Sequence, residues 1–106
     1  MRLYGIKTCD TCRKALKSLE AAGHDVEFVD VRAEPLSDTD LNRFAEKFGD
    51  TLMNTRSTTW RGLDESQRAQ PMTRLLAAHP TLMKRPVIEA DQLYLGWKKV
   101  VQDALL

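Results

Sequence analysis

The two cysteines of this sequence lie three positions apart, in the stretch YGIKTCDTCRKAL that spans Tyr4 to Leu16. Two thiols at this spacing can form a redox-active pair, can supply half of a metal site, or can be small core residues without chemistry. The secondary structure in which Cys9 and Cys12 lie distinguishes among these three interpretations.

The elements around the cysteines favour redox chemistry. Arg2 to Ile6 has the pattern of a short buried strand. Apolar residues spaced three or four apart then predict a helix from about Asp10 to Ala22, which Gly23 ends. Cys9 would lie at or just before the first helical turn. Cys12, one turn further on, would be close enough to attack a mixed disulfide on Cys9.

The predicted helix N-terminus makes Cys9 the more reactive thiol. Unpaired backbone N–H groups and the positive end of the helix dipole stabilise a thiolate there. Positive charge comes from Lys7, Arg13 and Lys14, and Asp10 opposes part of it. Such surroundings lower a thiol pKa from about 8.5 into the range of about 3.5–7.5. We therefore predict that Cys9 is the nucleophile and Cys12 the resolving thiol.

The two other interpretations have weaker support. A structural zinc site needs four ligands, and the histidines, His24 and His79, lie far from the cysteines in sequence. His24 follows a helix-ending glycine and His79 precedes a proline, so both are predicted to be capping or surface residues, and no metal is expected. Two inert buried cysteines stay open as an alternative, but a strand, a loop and a Cys-x-x-Cys that opens a helix favour catalysis.

The remaining elements complete the predicted fold. In order they are a strand at Val26 to Val29, an amphipathic helix from Ser37 to Gly49, a loop at Thr55 to Gly62, a short helix at Thr73 to His79, a hairpin of Val87 to Glu89 with Leu93 to Leu95, and a last helix that includes Trp97 to Leu105. This order predicts an α/β thioredoxin-like fold, with an α-helical insertion at about 37–79 between an N-terminal β-α-β half and a C-terminal β-β-α half.

Size and charge limit the class of protein. A chain of 106 residues fits a single domain, 1–106. With 16 basic and 15 acidic residues, it has no strong field that would attract nucleic acid or a membrane. The N-terminus lacks an apolar signal core, so we expect a cytoplasmic protein. We also expect a monomer. In a reducing cytosol a close cysteine pair indicates catalysis, sensing or metal binding rather than a structural disulfide.

Four stretches together resemble the arsenate-reductase-like (ArsC/Spx) family. They are YGIKTCDTCRKAL, NTRSTTWRGL at Asn54 to Leu63, HPTLMKRPVI at His79 to Ile88, and YLGW at Tyr94 to Trp97. The family contains ArsC-type reductases, Spx-type regulators and YffB-like thiol reductases, and NTRSTTWRGL is most similar to the YffB-like branch. The resemblance also implies the thioredoxin-like fold with a helical insertion.

The resemblance implies an anion-binding set beside the nucleophile. Arg56 and Arg85 would hold an oxyanion or an anionic adduct, since a guanidinium fork binds oxyanions and carboxylates bidentately. Pro86 would face the active site before the third strand, with a cis bond to Arg85. Trp60 and Trp97 are interpreted as core anchors.

This chain departs from the ArsC-type enzymes at two positions. Those enzymes carry a histidine four residues before the nucleophile, where this chain has Gly5, and a third arginine near the last helix, where it has Gly96 or Trp97. Many of them also lack a second cysteine at the Cys12 position. We therefore expect weak arsenate reduction.

The resemblance leaves two classes of function open. The first is a thiol-disulfide reductase with no bound cofactor and with glutathione as co-substrate, acting on a small-molecule thiol or oxyanion substrate and recycled by a glutathione/glutaredoxin or thioredoxin system. Arsenate reduction is the alternative within that class. The second class is an Spx-like redox-sensitive regulator that binds RNA polymerase.

Overall fold

Four strands and six α-helices make up the chain in a computed structural model that describes residues Met1–Leu106. The strands are β1 (Arg2–Gly5), β2 (Glu27–Asp30), β3 (Val87–Glu89) and β4 (Leu93–Leu95). The helices are α1 (Asp10–Ala21), α2 (Asp38–Phe48), α3 (Thr58–Arg61), α4 (Glu65–Arg68), α5 (Met72–Ala78) and α6 (Lys99–Leu105). Single 3-10 turns occupy Gly49–Leu52 and Pro80–Leu82. The longest helix has 12 residues, and none is long and apolar enough to cross a membrane.

The strands form one mixed sheet in the order β2-β1-β3-β4. Leu3 of β1 is paired in parallel with Phe28 of β2 and antiparallel with Ile88 of β3, which makes β1 a central strand. Strand β3 continues into the antiparallel partner β4. The predicted β-α-β unit and the predicted C-terminal hairpin are both confirmed.

Helix α1 forms where its apolar spacing predicts. Cys12, Ala15 and Leu19 recur at intervals of three and four residues, and all three are fully buried on one face. The helix ends because Gly23 adopts a φ of +94°, a left-handed conformation that favours glycine. The backbone N–H of His24 then donates to the Leu19 carbonyl and closes the last turn.

The residues form two compact units, and the first is built from both ends of the chain. It comprises Met1–Glu34 and Arg85–Leu106, and therefore holds the whole sheet with α1 and α6. Its core contains Leu3, Cys12, Ala15, Leu19, Ile88, Val101 and Leu105. Because Cys12 belongs to this core, one of the two candidate thiols is also a packing residue.

The second unit is Pro35–Lys84, which lies in sequence between β2 and β3. Helix α2 begins after Ser37, whose hydroxyl accepts from the Asp40 N–H, and packs against α5. Its buried residues are Leu41, Phe44, Leu52, Leu63, Leu75, Leu76, Leu82 and Met83. The predicted insertion at about 37–79 lies within these bounds. The assignment of the whole chain to one domain stays a prediction.

Two sequence-based boundaries were wrong. The Thr55–Gly62 segment, predicted as a loop, contains α3, because the Ser57 hydroxyl accepts from the Trp60 N–H and starts a turn there. Helix α6 begins only at Lys99, so Trp97 precedes it rather than belonging to it. Trp97 still packs against the core of the first unit, as a core anchor would.

Candidate active site

Cys9 occupies the N-cap position of α1, as the sequence predicts. Its backbone is extended, with φ −82° and ψ 119°. The Cys9 N–H donates to the Ile6 carbonyl at 2.9 Å, which closes the turn between β1 and α1. The Cys9 carbonyl accepts from the Arg13 N–H at 3.0 Å and starts the helix. The Cys9 thiol is partly exposed. Hydrogen bonds of its own N–H and carbonyl hold the Cys9 backbone at the start of the helix.

The surroundings of Cys9 favour its thiolate. Burial raises the pKa of the Cys9 thiol. The backbone N–H and thiol of Cys12 lower that pKa, as do the positive charge of Arg85 and the backbone N–H of Thr11. The lowering effects outweigh burial, so the pKa of Cys9 lies below the ordinary thiol value.

Cys12 has the opposite environment. Its side chain is fully buried, and burial raises the pKa of the Cys12 thiol to about 11. A hydrogen bond from the Ile6 backbone lowers this pKa, whereas the hydrogen bond to Cys9 and the charge of Cys9 raise it. Cys12 therefore keeps its proton at neutral pH, whereas the surroundings of Cys9 shift that thiol towards its thiolate form. Both cysteines are free thiols here.

The cationic residue that acts on the thiols is Arg85. Its positive charge lowers the pKa of both Cys9 and Cys12. Arg13, which the sequence offered as a source of positive charge, instead forms a salt bridge of 2.7 Å with Asp10, both side chains being well exposed. The positive charge that acts on the thiols therefore includes Arg85, from the other end of the chain, which the sequence alone did not assign to this effect.

The Arg85–Pro86 peptide bond is cis, as the family resemblance implies. Pro86 is buried directly before β3, and its carbonyl accepts from the Gly96 N–H at 2.8 Å. Gly96, one of the two positions compared above with a third arginine of the ArsC-type enzymes, has a φ of +84°, which favours glycine. The role of Arg85 and Pro86 in binding an anion stays a prediction.

Arg56 lies in the second unit, directly before α3. Its side chain is exposed, and its backbone N–H donates to the Asn54 Oδ1 at 3.1 Å. Arg56 and the cysteines belong to different units of the chain. Their predicted convergence therefore stays a prediction.

Asp30 is a site residue that sequence reasoning missed. Its carboxylate accepts from the Lys7 N–H at 3.1 Å and from the backbone N–H groups of Arg32 and Ala33 at 2.9 and 3.3 Å. The Lys7 N–H is the first cause of a lowered pKa for Asp30, which burial opposes. Asp30 thus ties the loop before Cys9 to the end of β2. Its only signal in the sequence is its place at the end of a strand that follows a predicted β-α crossover.

The histidines do not join the thiols. The His24 ring Nε2 lies 2.7 Å from the Leu105 carbonyl, at the end of α6. His79 ends α5, where its N–H donates to the Leu75 carbonyl at 2.8 Å. Both histidines lie at helix ends, which agrees with the prediction that they are capping or surface residues. No three His, Cys, Asp or Glu side chains converge as metal ligands would.

A comparison with protein families matches residues 4–102 to the ArsC family. The chain belongs to the ArsC family. A solved structure of a YFFB protein is 35% identical, with a TM-score of 0.90 over 99% of this chain and 97% of that one. The solution structure of an arsenate reductase (ArsC) related protein from Brucella melitensis is 38% identical, with a TM-score of 0.74 over 97% and 91%.

A curated relative extends the comparison to regulators. The global transcriptional regulator Spx of Bacillus subtilis is 34% identical over 106 residues, which cover 92% of this chain and 79% of that protein. The fold is thus the thioredoxin-like α/β fold of this family. Family and relatives together indicate an arsenate-reductase-like thiol oxidoreductase or a regulator.

Proposed function

We propose that this ArsC-family chain is a cytosolic, monomeric thiol–disulfide reductase that uses glutathione as co-substrate. The observation that carries the proposal is the opposite setting of two thiols on one helical turn. Cys9 is partly exposed with a lowered pKa, and Cys12 is buried with a pKa of about 11. An accessible thiolate beside a protected thiol is the arrangement that thiol–disulfide exchange needs.

The proposed reaction has two steps. In the first, the Cys9 thiolate attacks one sulfur of a substrate disulfide, forms a mixed disulfide and releases the other sulfur as a thiolate. In the second, the Cys12 sulfur attacks the Sγ of Cys9 and releases the bound thiol, which leaves a Cys9–Cys12 disulfide. Two glutathione thiols then reduce that disulfide and are oxidised to glutathione disulfide, so electrons and protons balance.

The environment of Cys12 supports this order of steps. Two of the effects that raise the pKa of Cys12 are its hydrogen bond to Cys9 and the negative charge of Cys9. Both depend on Cys9 being a thiolate, and both are lost when Cys9 enters a mixed disulfide. Burial, the largest cause of the raised pKa, remains, but the loss of these two effects lowers the pKa of Cys12 and so favours the second step after the first.

Arg85 has two proposed tasks. Its charge favours the Cys9 thiolate, and its guanidinium would bind an anionic substrate or a glutathione carboxylate beside Pro86. Arg56, in the second unit, is the other guanidinium that the family resemblance assigns to anion binding. Arsenate reduction is the alternative reaction, and we expect it to be weak because Gly5 and Gly96 stand where a dedicated enzyme has an imidazole and a cation.

The test is a turnover assay with a panel of substrates. A glutathione mixed disulfide, a protein disulfide and arsenate are each supplied with glutathione and glutathione reductase or with the thioredoxin system, and NADPH consumption is followed. The proposal expects turnover of the glutathione mixed disulfide with glutathione, and little with arsenate. Efficient arsenate turnover would select the alternative enzyme, and no turnover with any disulfide would refute a reductase.

A second candidate is a redox-sensitive regulator, which the identity to Spx favours. In that case the thiol pair would act as a switch on binding to RNA polymerase. A pull-down with purified polymerase, using the reduced and the oxidised chain, separates the two. A stable complex that changes with oxidation supports the regulator, whereas turnover without a complex supports the reductase.

A further inference from the structure

Gly5 is the last residue of β1, is buried, and has no conformational need to be glycine. Its φ is not among the positive values found at Gly23, Gly49 and Gly96. Any L-residue could therefore adopt its backbone conformation. The reason for glycine at this position must be space.

The space beside Gly5 is taken by the Cys12 thiol. A Cβ placed on Gly5 would lie 2.6 Å from the Cys12 Sγ, 3.1 Å from the Cys12 Cβ and 3.2 Å from the Leu3 Cδ2. Gly23, Gly49 and Gly96 have no atom within 4 Å of the same point. Gly5 is thus the glycine of this chain whose missing side chain is replaced by a neighbouring sulfur.

The surrounding atoms cannot absorb a methyl group. Leu3 and Cys12 are both fully buried in the core of the first unit, and close-packed interiors respond even to one methyl group. The cysteine side chain has a single χ angle with few staggered positions. An added Cβ would therefore turn the Sγ of Cys12 away from its place beside the Ile6 backbone and Cys9.

We propose that Gly5 is the positioning residue for the resolving thiol: it leaves the room in which the Cys12 Sγ lies beside Cys9. This inference rests on the proposed function, because it concerns the second step of that reaction. In that step the new S–S bond joins Cys9 and Cys12, and the bond from Cys9 to the leaving thiol breaks. The electron pair leaves with that thiolate, and the Cys12 proton goes to solvent. Gly5→Ala should slow this step and spare the first attack by Cys9.

The test uses the full chain and the chromogenic disulfide DTNB. Attack by Cys9 releases one coloured thiolate, and closure by Cys12 releases the second. In the wild type we expect both releases. In Gly5→Ala we expect the first release at its normal rate and the second slowed by about ten-fold or more, as for a misplaced reacting group. Gly62→Ala is the matched control, because a Cβ there meets only ordinary contacts, the nearest at 3.5 Å.

If Gly5→Ala unfolds the chain, a double variant tests whether the clash with Cys12 is the cause. In Gly5→Ala/Cys12→Ala the sulfur that the new methyl group meets is absent, so thermal stability should recover towards that of Cys12→Ala. Equal destabilisation in both backgrounds, or loss of folding in both, would overturn the proposal. So would a normal second release in Gly5→Ala. A wild type that never gives the second release refutes instead the resolving role of Cys12 in the proposed function.

Discussion

The N-terminal end of α1 and the buried face of the same helix hold the same side chain in opposite surroundings. Cys9 lies at the helix end, partly exposed, near the charge of Arg85. Cys12 lies one turn away with a fully buried side chain, inside the core with Leu3 and Ala15. Burial raises the pKa of both thiols, but only at Cys9 do hydrogen bonds and charge outweigh it. We therefore expect the reactivity of each thiol to follow from its position on the helix.

The largest expected effect comes from replacing each thiol in turn. Cys9→Ser should reduce disulfide turnover to the uncatalysed rate, because a serine hydroxyl does not attack disulfides. Cys12→Ser should keep the first step and depend on external glutathione for the second. Release of the bound thiol from the mixed disulfide is measured in a single turnover, with and without added glutathione, because the wild type should release it without glutathione. Cys12→Ala is the packing control, since it removes the thiol without a buried hydroxyl. Release of the bound thiol from Cys12→Ser at the wild-type rate without any external thiol would show that Cys12 is not the resolving thiol.

Two variants of Arg85 separate its charge from its shape. Arg85→Gln removes the charge, so the pKa of Cys9 should rise towards the ordinary thiol value. Arg85→Lys keeps the charge but loses the planar fork, so substrate affinity should fall by about ten-fold with little change in that pKa. The pH dependence of Cys9 alkylation and the KM for the disulfide substrate measure the two effects. An unchanged Cys9 pKa in Arg85→Gln would show that the charge of Arg85 does not stabilise the Cys9 thiolate.

The smallest expected effect concerns Asp30, which holds the loop that leads to Cys9. Asp30→Asn keeps one oxygen acceptor and loses the second, so the free energy of unfolding should fall by about 1 kcal/mol. The pKa of Asp30 is lowered in the fold from 3.8. Its stabilisation is therefore complete above that value and is lost as the pH falls through the lower folded-state value. Denaturant unfolding between neutral and acid pH measures both effects.

Asp25→Asn is the matched control for Asp30, because Asp25 is exposed and precedes the same strand. It should leave both stability and Cys9 alkylation as they are in the wild type. If Asp25→Asn and Asp30→Asn lose stability equally, the loss reflects surface charge and not the hydrogen bond to the Lys7 N–H.

Local patterns predicted most of the first unit, and long-range contacts explain what they missed. The spacing of Ala15, Leu16 and Leu19 was enough to place α1 and so to put Cys9 at its start. The charge that acts on Cys9 was assigned to sequence neighbours, because nothing local indicates that Arg85 approaches from the other end of the chain. The contact between Gly5 and Cys12 was missed for a different reason: it depends on how closely α1 packs against β1, which the residue types alone do not show.

The short helices of the second unit were missed for a different reason. Helices α3 and α4 have four residues each, too few for an apolar periodicity to appear. They form because Ser57 and Asp64 cap their first turns. The resemblance of NTRSTTWRGL identified the family, but it did not reveal that Trp60 lies on a helical turn with Arg68 at 5.1 Å from its ring.

The most direct test of the account is the pH dependence of alkylation of the two thiols in the reduced wild type. Iodoacetamide is applied across a pH series, and the chain is then cleaved on the N-terminal side of Asp10, which places Cys9 and Cys12 in separate peptides whose labelling is measured by mass spectrometry. The account predicts that Cys9 reacts first, with a midpoint below the ordinary thiol pKa, while Cys12 stays protected until the pH approaches about 11. Equal rates for the two cysteines, or a Cys9 midpoint at or above the ordinary value, would contradict it.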